Sequence, residues 1–284
     1  MLDVMEQTPE ARVAALEEAL RRFFRGQPSV LVALSGGVDS SLLAALAAEE
    51  LGGRALAVTG VSPSLSPEEL EEIRAFCAAR GIAHETLATD EMSLPGYVRN
   101  APDRCFHCKN ELFGKLASLA AVRGIAVVVE GTHAEDLQGH RPGHAAALGN
   151  GVRSPLADSG ADKATVRALA RRLGLTNAER PSSPCLASRI AYGLQVTAPR
   201  LDRVRRAEVI LRRLGFPECR VRLHEAGDAS IARIEVPRAR LEEAAARAAE
   251  ISAELTGVGF TWVTLDLRGL RSGSLLEAFR EPRS

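Results

Sequence analysis

Apolar residues recur at helical spacing near the start of the chain (Val13, Leu16, Leu20, Phe23, Phe24), and Gly26 follows, which predicts an amphipathic helix over 9–25. The period then changes. Val30-Leu31-Val32-Ala33-Leu34 is a short unbroken apolar run, the pattern of a strand buried on both faces. It breaks at Ser35-Gly36-Gly37-Val38-Asp39-Ser40-Ser41, and the apolar stretch 42–48 after it suits a helix packed on a sheet. Further strands are predicted at 54–59, 82–87 and 125–130, with helices over about 67–80, 106–123 and 162–173. Ser66, Pro67, Glu68 and Glu69 have the order expected of a helix start. Residues 89–104, with Pro95, Gly96 and Pro102, show no period and read as a loop long enough to reach over a site.

Strands alternating with helices imply βαβ units and a doubly wound parallel sheet. Ligands then belong at the carboxyl ends of the strands, where Ser35, Val61 and Gly131 fall. Past the Pro- and Ser-rich stretch 177–193 the order changes to a helix (200–214), paired strands (220–224 and 231–236), a helix (238–255) and a strand (260–265). The predicted fold class is α/β, a doubly wound parallel sheet over 1–195 with a smaller C-terminal α+β domain over 196–284.

Composition adds constraints rather than chemistry. The 284 residues have zero formal net charge, 25% charged and 46% hydrophobic residues, so a nucleic-acid partner is not expected. No apolar run approaches the ~20 residues of a membrane span, and the acidic start lacks a signal-peptide pattern. Five cysteines, an odd number, suit a reducing compartment, and the expected location is cytoplasmic.

The glycine turn at 35–41 joins a buried strand to a helix start. Small residues let the backbone approach a ligand, and free N–H groups with the positive end of the helix dipole make an anion site. It has no GxxxxGK[ST] spacing and no lysine of its own to hold a terminal phosphate. SGGxDS after a first strand instead resembles the PP-loop ATP pyrophosphatases. That resemblance implies cleavage of ATP between its α- and β-phosphates and adenylation of a substrate. It also implies ATP phosphates held by Ser35, Gly36, Gly37, Asp39, Ser40 and Ser41, with Asp39 acting through Mg²⁺.

The cysteines differ in setting. Cys77, beside Phe76 and Ile73, reads as a packed core thiol, and Cys219 as structural. Cys105 and Cys108 form a CxxC at a helix start, where the dipole favours thiolate. A redox dithiol, a zinc site short of two ligands and part of an iron–sulfur site all remain open. Cys185 lies among Ser182, Ser183, Ser188 and Arg189, surroundings unlike those of an inert core cysteine, though a structural role stays open. His107, His133 and His140 receive no role, because adenylation of an ionised carboxylate needs no protein base.

The PP-loop, Arg104-Cys105-Phe106-His107-Cys108-Lys109 and Pro184-Cys185-Leu186-Ala187-Ser188-Arg189 occur together in one chain. With Gly131-Thr132, Arg141-Pro142-Gly143 and Arg220-Val221-Arg222, they resemble the LarE family of sulfur transferases over nearly the whole length. The resemblance implies adenylation of a carboxylate of pyridinium-3,5-biscarboxylic acid mononucleotide and its conversion to a thiocarboxylate. In single-turnover members the cysteine matching Cys185 gives up its sulfur, and those members lack the CxxC. Cys105, Cys108 and Cys185 together resemble the subgroup that holds a [4Fe-4S] cluster with one iron free to carry sulfide.

The same carry-over makes Arg189, Arg220 and Arg222 candidates for gripping the substrate's phosphate or carboxylates. An exposed strand face is the plainer reading of Arg220 and Arg222. Glu208, Glu235 and Glu243 match family acids near a metal-bearing subunit interface, with solvated salt bridges as the alternative. A homo-oligomer, in the family a hexamer, is expected; the substrate partner is a small nucleotide, and the sulfide source is left open.

Three other functions compete. A PP-loop tRNA thiolase also joins this loop to cysteines, but the zero net charge and the lack of a recognisable RNA-binding domain stand against it. Ammonia-using amidases share SGGxDS without needing three ligand cysteines. A non-enzymatic nucleotide-binding module leaves Cys105, Cys108 and Cys185 idle.

Overall fold

The computed structural model describes residues 8–138, 142–181, 184–271, 273–275 and 277. His140, Arg141, Ser182 and Ser183, named above, lie outside the described residues. The chain divides into two compact units. The second gathers Pro63–Ser66, Met92–Arg104 and the chain from Pro184 onward, and the first takes the rest.

The first unit is a parallel sheet of β1 (Val30–Ala33), β2 (Ala55–Val61), β3 (His84–Ala88) and β4 (Val127–Val129), in the order β3-β2-β1-β4. β1 aligns Val30 with Ala55 on one side and with Val127 on the other. Its unbroken apolar run is explained by burial of both faces. Val30 and Val32 pack with Leu20, Leu43, Leu46, Val166 and Leu169 from the helices Pro9–Arg25, Val38–Leu51 and Lys163–Arg172. Leu31 packs with Val58, Val128, Phe113 and Leu116, the last two from the helix Arg104–Arg123. The chain winds outward from β1 to β3 and then returns to place β4 on the far side of β1. This reversal falls between β1 and β4, whose carboxyl ends are the usual ligand position of such sheets.

The second unit has a three-stranded sheet of β5 (Arg220–Ala226), β6 (Ala229–Glu235) and β7 (Trp262–Leu265), in the order β5-β6-β7. β5 and β6 form an antiparallel hairpin turning at Gly227 (φ 60°), and β7 adds in parallel. The helix Ala198–Arg213, capped by the Thr197 side chain, covers it with Val204, Ala207 and Leu211 fully buried. The α/β class with a smaller mixed-sheet region is therefore as expected.

Three local expectations change. Residues 92–104 are not an irregular loop. They form a strap of the second unit, with the short helix Pro95–Val98 and fully buried Tyr97 and Asn100. Asn100 sits at φ 56°, and its amide donates to the carbonyls of Ala191 (2.9 Å) and Leu194 (2.8 Å). The Arg104 guanidinium donates to the Ala187 carbonyl at 2.8 Å. These bonds tie 92–104 to 184–194, so the compact second unit begins before residue 196 and is not one stretch of chain. The helix Pro142–Gly149 lies where no element was predicted, because Ala146 and Ala147 are too small to mark a periodic face. The long helix expected over 238–255 breaks at Arg247 into Leu241–Ala246 and Ala248–Gly257.

Candidate active site

β1 ends at Ala33 and its helix starts at Val38, leaving Leu34–Gly37 to turn the chain. Gly36 takes φ +75°, and a Cβ there would come within 2.7 Å of Ile73, so only glycine fits. The first helical hydrogen bond runs from Ser41 N–H to the Gly37 carbonyl (3.0 Å), and the helix start has no side-chain cap. Among the described residues, the N–H groups of Gly37, Val38, Asp39 and Ser40 thus make no recorded hydrogen bond. Ser40 closes the turn from inside. Its Oγ donates to the Gly37 carbonyl (3.2 Å) and accepts from Ser35 N–H (3.1 Å) and from Ser35 Oγ (3.1 Å).

Gly131, directly after Glu130 at the end of β4, touches the same helix start. A Cβ on it would lie 2.8 Å from the Ser40 nitrogen and 3.0 Å from Asp39 Cβ. The carboxyl ends of β1 and β4 therefore converge on the loop, as the strand order requires. Glu130, buried, accepts from Ser154 Oγ at 2.6 Å. His133, 7% exposed, has Nε2 3.4 Å from Asp136 and a buried Nδ1 with no partner.

The loop lacks its own lysine, but the fold supplies one. Lys163 Nζ donates to both carboxylate oxygens of Asp39, at 2.6 and 2.5 Å. Lys163 is the first residue of a helix capped by Asp162, whose carboxylate accepts from Thr165 N–H at 2.7 Å. That hydrogen bonding holds the Asp162 carboxyl below its usual range. Sequence reasoning placed the helix and missed both its cap and the lysine.

In the second unit, Arg189 and Arg222 are each 4% exposed. Arg189 forks onto Glu208 (2.8 and 3.3 Å), and its other nitrogen reaches Ser188 Oγ (3.0 Å) and the Pro184 carbonyl. Arg222 binds Glu235 through two nitrogens (3.1 and 2.9 Å) and the Ser188 carbonyl through the third (2.8 Å). Arg220 donates to the Arg271 carbonyl at 3.2 Å. Burial, with Arg222 and Arg189 as cationic neighbours, pushes its pKa down. An exposed strand face therefore does not describe Arg222. Glu208 and Glu235 are wholly buried, whereas Glu243 is exposed and pairs with Arg240 at 2.5 Å.

Burial sorts the cysteines as their sequence settings predicted. Cys77 and Cys219 are buried, and burial pushes their thiols up to about 11 and about 12. Cys105 and Cys185 are exposed and Cys108 partly so, and all five are free of disulfides. Cys105 and Cys108 open the helix Arg104–Arg123 one turn apart; Cys185 immediately precedes the short helical turn Leu186–Arg189. Among the described residues, no three His, Cys, Asp or Glu side chains gather as a metal site, and no helix is long and apolar enough to cross a membrane.

A strand, a glycine turn and a helix with unspent amides, set where the strand order reverses, define the PP-loop class of nucleotide-using proteins. Residues 13–183 match the family model described as asparagine synthase. The chain is 44% identical to an uncharacterized protein of Synechocystis sp. over 91% of its own length and 96% of that protein's. It is 36% identical to the pyridinium-3,5-bisthiocarboxylic acid mononucleotide synthase of Lactiplantibacillus plantarum, over 93% of this chain and 91% of that one. The chain belongs to the LarE family, the family of that synthase.

Proposed function

We propose that this protein is an ATP-dependent sulfur transferase acting on pyridinium-3,5-biscarboxylic acid mononucleotide. The observation that carries the reading is the loop 35–41, whose four unbonded N–H groups lie beside the Asp39–Lys163 pair. A substrate carboxylate oxygen attacks the α-phosphorus of ATP, the bond to the β-phosphate oxygen breaks, and pyrophosphate leaves. The loop amides and Lys163 neutralise the charge on that leaving group. A sulfur nucleophile then attacks the acyl carbon, AMP leaves, and the thioacid loses a proton to give the thiocarboxylate.

Asp39 supplies a carboxylate suited to Mg²⁺ on the phosphate oxygens once Lys163 moves to the phosphates. Arg189, Arg220 and Arg222 together set three positive charges against the two carboxylates of Glu208 and Glu235, and the charge left over attracts the substrate's anionic groups. The donor chemistry of Cys105, Cys108 and Cys185, the accessible thiols, fits a [4Fe-4S] cluster, and such a group supplies an open iron on which sulfide can be carried. Of the proposed interface acids, Glu243 alone is exposed for a homo-oligomeric contact.

A second reading has Cys185 give up its own sulfur once. The exposure of Cys185 favours it.

The deciding experiment is anaerobic reconstitution with iron and sulfide, followed by EPR and mass spectrometry of product and protein. A cluster signal with an intact Cys185 after several turnovers supports the catalytic reading. A Cys185 lighter by H₂S, with no cluster, supports the sacrificial one. Failure to release pyrophosphate when ATP and substrate are mixed sinks both.

A further inference from the structure

Asn177 has no place in the reading above, yet its side chain reaches the phosphate loop from far along the chain. Its Nδ2 donates to the Gly36 carbonyl at 3.1 Å and to Ser41 Oγ at 2.8 Å. The orientation of this amide follows from its partner. A carbonyl oxygen can only accept, so the NH₂ end must face Gly36. Asn177 Oδ1 is buried with no partner, so the side chain is held by its donors alone.

The segment bearing Asn177 is itself fixed. Arg167 donates to the carbonyls of Ala178 and Arg180, both at 2.8 Å, and Arg180 N–H closes a turn onto the Asn177 carbonyl at 3.0 Å. Arg167 stands on the helix Lys163–Arg172, the helix that carries Lys163 to Asp39. One helix therefore anchors both the cation beside the loop and the amide that grips it.

The geometry points to Asn177 as a positioning residue for the phosphate cradle: it fixes the orientation of the Gly36–Gly37 peptide. In a trans peptide the carbonyl and the following N–H point in opposite directions. With the Gly36 oxygen held on Asn177, the Gly37 N–H is turned away from it and stays available with the other unbonded amides of the helix start. Gly36, at φ +75° and without a side chain, is a residue whose flanking peptide could otherwise rotate. The inference rests on the proposed ATP chemistry and adds a residue that sequence, motif and charge did not mark.

The test uses the full-length protein and measures binding of pyrophosphate, and separately of AMP, in magnesium buffer. Asn177→Ala loses both donors, and Asn177→Asp keeps the shape while presenting only acceptors to the Gly36 carbonyl. We expect pyrophosphate affinity to fall about tenfold in Asn177→Ala and further in Asn177→Asp, with AMP affinity within about twofold of wild type. Two results overturn the inference: unchanged pyrophosphate affinity in Asn177→Asp, or equal weakening of pyrophosphate and AMP in either folded variant. Wild-type protein that binds neither ATP nor pyrophosphate removes the proposed function and this inference together.

Discussion

Lys163 Nζ sits between the two carboxylate oxygens of Asp39, 2.6 and 2.5 Å away, across 124 residues of sequence. The pair is only partly buried, with side chains 28% and 21% exposed, so its own worth is modest, up to about 1 kcal/mol. Its position is what matters, because it sets a cation beside the unbonded amides of the helix start.

Lys163→Ala should therefore leave the fold intact and weaken ATP binding by roughly 10- to 100-fold, the scale of one charge-assisted hydrogen bond to phosphate. Calorimetric titration of ATP checks this. An affinity within twofold of wild type would remove Lys163 from the site.

Gly131→Ala places a methyl group 2.8 Å from the Ser40 nitrogen, against backbone rather than a flexible side chain. The expected cost is about 1–3 kcal/mol, shared between stability and the shape of the loop. Gly53→Ala, where a Cβ meets nothing within 4 Å, is the matched control. Denaturant unfolding should separate the two variants; coincident curves with unchanged ATP affinity would show that the loop tolerates the intrusion.

Asp162 has a folded-state pKa below its usual value because Thr165 donates to its ionised form. Its cap is thus fully stabilising above the unfolded-state pKa of about 4 and is lost as pH falls through the lower folded value. Asp162→Ala should cost about 1 kcal/mol at neutral pH, and its stability curve should converge with wild type in acid below about pH 4. A gap that stays constant down to pH 2 would contradict the assignment.

Alkylation of metal-free protein at neutral pH should mark Cys105, Cys108 and Cys185 and spare Cys77 and Cys219, whose buried thiols are pushed up to about 11 and about 12. Peptide mapping by mass spectrometry reads this directly. Labelling of Cys219 at the rate of Cys185 would show that the burial pattern does not govern reactivity.

What the sequence made legible was whatever short-range patterning encodes. The helix Pro9–Arg25 falls where its period places it, and β1 lies within the run 30–34, because burial on both faces leaves an unbroken apolar signature. The loop 35–41 is read from its own small residues. Lys163 and Asn177 were not legible, since each acts on residues more than a hundred positions away and neither sits in a distinctive local pattern. Residues 92–104 misled for a related reason. Prolines and polar residues normally mark solvated loops, but Asn100 is buried because it satisfies carbonyls from a distant stretch of chain.

That strap has a practical outcome for anyone dividing the protein. A fragment cut at residue 196 would carry β5, β6 and β7 but leave behind Tyr97, Asn100 and Arg104, together with the carbonyls of 187, 191 and 194 that Asn100 and Arg104 bind. During synthesis, the amino-terminal contributions to this second unit must wait through some eighty further residues before their partners emerge. Its folding therefore waits for residues 184–194, and a chain divided at residue 196 separates β5, β6 and β7 from a strap that belongs to the same unit.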